Sequence, residues 1–187
     1  INMPMEGTTD CAVWLTLKSI LLDSAIHGDV PQNSGMTRPI TIIAPEGSLV
    51  NPIFPAPTIA RFCTGNQAAD TVMKALAQVV PEKVSAGVGN LHVVSFSGLR
   101  GGEHWVHMEI HEGCYGGRLG KDGMDAVDTL YANTRNNPIE DIESHTPLRV
   151  KRYELRDDAA AAGRWRGGIG SIREVEFLED SFISIEG

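Results

Sequence analysis

Apolar residues first recur at helical spacing. Val13, Trp14, Leu17, Ile20, Leu21 and Leu22 share one broad face, which predicts a helix from Thr8 or Thr9 to about Ala25, with His27-Gly28-Asp29 ending it. Ile40, Ile42 and Ile43 read as a short strand broken by Pro45 and Gly47. Residues 51–64 carry three prolines and predict an extended connection. Ala69, Val72, Met73, Leu76, Val79 and Val80 then mark a second helix over about Gln67 to Val80, with Thr64 or Asn66 as cap and Pro81 as stop.

The period changes after Asn90. "LHVVSFSG" (91–98) and "HWVHMEIHE" (104–112) read as two strands around "LRGGE", a hairpin. "PLRVKRYELR" (147–156) alternates, a "DDAAAAGRWRGGIGS" turn region follows, and "SIREVEFLED" predicts another strand. The fold class is therefore α+β, with a helix-rich first half (1–90) and a largely antiparallel second half (91–187).

Composition narrows the classes. A chain of 187 residues that is 42% hydrophobic can bury a substantial core. A net charge of −8 argues against a nucleic-acid partner or an anionic membrane surface. No apolar run reaches the roughly 20 residues of a membrane span. Cys11, Cys63 and Cys114 form no CxxC pair, and three lone thiols fit a reducing cytoplasm.

Three patterns carry possible chemistry. His107, Glu109 and His111 alternate on one strand and so share a face, a spacing that permits a metal site. A solvated polar face explains the same residues, and no metal is expected to bind them. The Gly-rich "GCYGGRLGKDG" and "RWRGGIG" match neither a P-loop nor a dinucleotide fingerprint and read as turns. Asp10, Asp122, Asp125 and Asp128 read as surface or capping carboxylates. The third pattern is "YANTRNNPIEDIESH" (131–145), rich in amides and acids. Buried, it would need nearly every polar group paired. It is expected to be a satisfied polar network that locks strand ends at an interface. Asn133, Arg135, Asn136 and Glu140, together with Glu109, are the catalytic candidates.

"RPITIIAPEGSLVNP", "YANTRNNPIEDIESHTPLRVKRYELR" and "GRWRGGIGSIREVEF" occur in an order that resembles the hydantoinase B family, which includes 5-oxoprolinase and related acetone and acetophenone carboxylase subunits. "EIHEGCYGG" is similar to a family pattern in which Glu109 matches a Glu, while Ile110, His111 and Glu112 depart from it. The resemblance implies the later portion of a longer subunit of an ATP-dependent cyclic-amide hydrolase, acting on hydantoins or 5-oxoproline. The opening at Ile1, with no initiator Met, agrees with that expectation. A ketone carboxylase subunit and a non-catalytic assembly domain are the alternatives. The resemblance also implies a hydantoinase A-type ATP-binding partner. It places ATP and a divalent metal outside these residues, and the isolated segment is expected to be inactive.

Overall fold

The computed structural model describes residues 2–87, 89–128, 130–156 and 160–186. Its order is α1 (Asp10–Leu21), α2 (Arg61–Leu76), β1 (His92–Arg100), β2 (Glu103–His111), α3 (Ile139–His145), β3 (Leu148–Leu155), β4 (Ser171–Phe177) and β5 (Ser181–Glu186). The class is α+β, as the pattern predicts.

Helix α1 ends four residues before Ala25. Leu22 turns extended, and Asp23 Oδ1 accepts from the Ala25 amide at 2.9 Å, a local turn that competes with another helical turn. Thr9 occupies the N-cap position, but its hydroxyl donates to Val50 O at 2.7 Å instead of capping. Helix α2 begins at Arg61, six residues before the expected start, so Thr64 and Asn66 are interior residues and not caps. The expected strand at Ile40–Ile43 does not form: these residues join no ladder among the described residues, and Ile43 is 89% exposed. A strand exists only as part of a ladder.

Two antiparallel sheets follow. The first has the order β2-β1-β5 and the second pairs β3 with β4. The β1–β2 hairpin pairs Arg100 with Glu103 across Gly101-Gly102. Both glycines have positive φ, 58° and 88°, which a two-residue hairpin turn of this hand requires. Strand β5 adds to the other edge of β1, with Ser97 opposite Phe182. The β3–β4 register shifts between Val150 and Arg152, a bulge in an otherwise regular ribbon. The 157–159 part of the turn expected after β3 lies outside the described residues.

The apolar core has three clusters. Ile20, Met73 and Val84 join α1 to α2. Cys63, Leu91 and Val93, with Phe62 and Ile110 beside them, seat α2 on one face of the first sheet. Val94, Phe96, Ile142 and Leu148 fill the opposite face and bring α3 and the second sheet against it. Leu91 and Leu148, within these clusters, and Met3, outside them, are 0–1% exposed.

The amide-rich stretch differs from expectation. Residues 133–141 are exposed, and Ile139–His145 form a third helix after Pro138. Pro138 precedes the first turn, Glu140 and Asp141 lie at its positive end, and His145 lies at its negative end, all favourable placements. Its anchor is Ile142, 5% exposed. Among the described residues the side chains of 133–141 stand exposed instead of buried, although Asn136 bonds to Tyr153 and Arg173.

Candidate functional site

The hairpin brings the inward side chains of β2 to one face. Trp105, His107, Glu109 and His111 alternate with the exposed His104, Val106 and Met108. The inward set meets Arg173 of β4. Its Nη1 donates to Glu109 Oε2 at 2.8 Å and its Nη2 to Glu112 Oε2 at 2.7 Å. Nη2 also donates to Asn136 Oδ1 and, at 3.1 Å, to the Tyr153 hydroxyl. The Tyr153 ring lies 4.3 Å from the guanidinium, in cation–π contact. The Asn136 amide donates to that same hydroxyl. One cation thus ties β2, the residue after it, the 133–137 loop, β3 and β4.

The side chains of Arg173, Glu109 and Glu112 are 7%, 11% and 5% exposed. Burial pushes the Glu112 carboxyl above its ordinary range, more than the shared Arg173 pulls it down. Burial, then Arg173, push the His111 imidazole below its ordinary value. The Nε2 atoms of His107 and His111 and the Nε of Arg173 are buried without hydrogen-bond partners among the described residues. His107 Nε2 lies 3.3 Å from Glu109 Oε1 but is not aligned for a hydrogen bond.

Glu112 and Asn136 also face a cleft of about 1050 Å³. Asn133, Thr134 and Arg135 line its polar wall, while Leu15, Ile20 and Met73 line an apolar one. Asn133 holds φ of 80°, a left-handed conformation that Asn tolerates better than most residues. Thr134 is fastened through its amide and hydroxyl to Asp128 Oδ2. The structure therefore groups Asn133, Arg135 and Asn136 at the cleft. Glu109 lies behind Arg173, and Glu140 is exposed on α3, outside the cleft lining. Among the described residues, no group of three or more His, Cys, Asp or Glu is arranged to hold a metal ion. Glu109 is instead committed to Arg173.

The two Gly-rich stretches form one unit. Gly123 N donates to Arg166 O and Gly168 N to Tyr115 O, both at 2.8 Å. The Arg166 guanidinium grips Asp125 with two bonds of 2.7 and 2.9 Å. Asp125 Oδ1 also accepts from the Ile169 amide, and these bonds hold its carboxyl below the usual range. A Cβ on Gly123 would sit 2.0 Å from Tyr115 O, and one on Gly168 would sit 2.1 Å from Met124 O. Glycine is needed at both positions for this close backbone approach. Asp125, read as a surface carboxylate, is therefore a structural clamp.

Sequence reasoning missed Arg173, Tyr153 and Glu112 as members of the site. Arg173 lies 61 residues from Glu112 and 64 from Glu109, so no local pattern links them. The signal open to a reader was an arginine at an inward strand position, where a cation needs an acidic partner.

The chain that builds this cleft and its ion cluster belongs to the hydantoinase B/oxoprolinase family, whose profile matches residues 1–187. It is 72% identical over 186 residues to a protein provisionally described as the B component of a D-/L-hydantoinase from Pseudomonas sp. (strain NS671), covering 100% of this chain and 31% of that one. It is 31% identical over 158 residues to the beta component of the caprolactamase of Pseudomonas jessenii, covering 80% of this chain and 27% of that one. A nucleotide-free acetone carboxylase structure superposes with a TM-score of 0.79 at 16% identity, over 97% of this chain and 25% of that one. That likeness concerns the fold. The chain thus spans about a third of the length of these curated relatives. Among the described residues, no helix is long and apolar enough to cross a membrane.

Proposed function

We propose that these residues form part of a hydantoinase B-type subunit in an ATP-dependent hydrolase of cyclic amides, and that the Asn-lined cleft faces the substrate. The observation that carries this reading is the 72% identity to a hydantoinase component of the B type, which runs over the whole chain. ATP, held by a hydantoinase A-type partner, would supply a phosphoryl group to the amide oxygen and make a poor electrophile hydrolysable. The residues here have other tasks. Asn133 and Asn136 offer both donors and acceptors, the complement of a ring N–H and C=O. Arg135 offers a cation to the carboxylate that ring opening creates. Glu112, with its raised carboxyl, is suited to exchange a proton at the cleft wall.

The test uses the complete subunit assembled with its A-type partner. ATP consumption is followed with hydantoins and 5-oxoproline, and with acetone or acetophenone plus bicarbonate. The reading expects turnover with the cyclic amides, and a higher KM in Asn133→Gly, which removes the amide while keeping the positive φ. Turnover with the ketones alone would replace it with the carboxylase reading.

A further inference from the structure

The first sheet is covered unevenly. On its outer face Val93 and Ile110 lie opposite each other, under Phe62 and Cys63 of α2. Further along the same face the cover stops. The register places Val106 and Phe182 on either side of Ser97, and Met108 and Ser184 on either side of Ser95. Val106 is 74% exposed, Met108 58%, Phe182 79% and the neighbouring Leu99 54%. A strand face left to water ordinarily carries polar residues at these positions. Here Val106 and Met108 stand on the β2 side of Ser97 and Ser95, and Phe182, next to the polar Ser184, stands on the β5 side, a shallow and mostly apolar trough. Among the described residues, strand β5 is also an edge strand with one backbone side unpaired, and on the sheet's opposite face its Ile183 and Ile185 are more than half exposed.

Area points the same way. The chain exposes 11752 Å². A self-sufficient monomer of 20.2 kDa is expected to expose about 8,800 Å², so roughly 3,000 Å² is in excess. That excess is the area of one side only; counted over both sides of a contact it would be about 6,000 Å², the scale of an obligate interface and well above a transient one. Relatives carry about two-thirds of their length outside the matched region.

We infer that the trough formed by Val106, Met108, Ser97 and Phe182 is an internal surface of the complete subunit, covered by a segment of the same polypeptide that lies outside these 187 residues. The covering segment presents apolar side chains to the trough. This inference rests on the chain being part of a longer hydantoinase B-type subunit, and it does not depend on the substrate.

Hydroxyl-radical footprinting of the unsubstituted complete subunit tests it, with Met108 and Phe182 read by peptide mass mapping. The expected result is oxidation at least about tenfold slower than in the urea-unfolded protein, unchanged when the sample is diluted tenfold. Smaller protection would overturn the inference. Protection lost on dilution would also overturn it, because a second copy would then be the cover. Turnover of cyclic amides is scored separately, on a portion of the same preparation after the A-type partner and ATP have been added. Fast oxidation in an active enzyme sinks only the buried trough, and protection in an inactive one sinks only the functional reading.

Discussion

Arg173→Met removes the cation shared by Glu109 and Glu112 while keeping most of the side-chain volume. Two carboxylates, 11% and 5% exposed, then lose their counter-charge. Breaking a buried pair by removing one partner typically costs about 3–5 kcal/mol, because the remaining charge is stranded. Against a usual native stability of about 5–15 kcal/mol, this is a large fraction. For a chain of this size the melting temperature should fall by roughly 6–20 °C. Arg173→Lys should recover only part of the loss, since an ammonium cannot make the same planar set of bonds to Glu109, Glu112 and Asn136. The decisive variant is the triple Arg173→Met, Glu109→Gln, Glu112→Gln, which removes the stranded charges as well. Urea denaturation at neutral pH should place the triple variant well above the single one. A single variant within about 1 kcal/mol of the parent would refute the stranded-charge reasoning, as would a triple variant less stable than the single.

Three further outcomes follow from the geometry. Gly123→Ala should cost roughly 3 kcal/mol or more, seen as a lower urea midpoint, because its Cβ would overlap Tyr115 O and backbone must move. The lowered His111 value means its contribution is present above the ordinary histidine range and lost as pH falls through it. His111→Gln should therefore flatten the loss of stability between about pH 7 and pH 5. Glu112 is raised, so its contribution is present below the ordinary carboxylate range and lost as pH rises through its folded value. Glu112→Gln should remove that decline in a pH series of denaturation midpoints.

What the sequence disclosed followed the range of the forces involved. The hairpin was legible because alternation and the Gly101-Gly102 turn are both local. The core face of α2 was legible because Ala69 and Met73 repeat at helical spacing. The start of α2 was not, since Ala60 caps it without a side-chain bond and the polar Thr64 and Asn66 imitate caps. Ile40–Ile43 failed as a strand because pairing is a tertiary property. Helix α3 could have been found from Pro138 and the acids of its first turn, but the density of amides masked it. Asn133, Arg135 and Asn136 were picked out by composition, and the structure does gather them at one cleft. The link of Asn136 to Arg173 depended on a contact across a long stretch of chain. The same segment is exposed within these residues, which its composition did not reveal, because richness in polar groups says nothing about what is layered above them.

The interlocking of the loops around Gly123 and Gly168 has a consequence for engineering and for descent. The two strips are separated in sequence, yet each supplies the backbone wall that the other leans on. Neither has room to lengthen or thicken alone. A chimaera that trades one strip between relatives should misfold unless it trades both, and homologues should gain or lose residues there only in matched pairs.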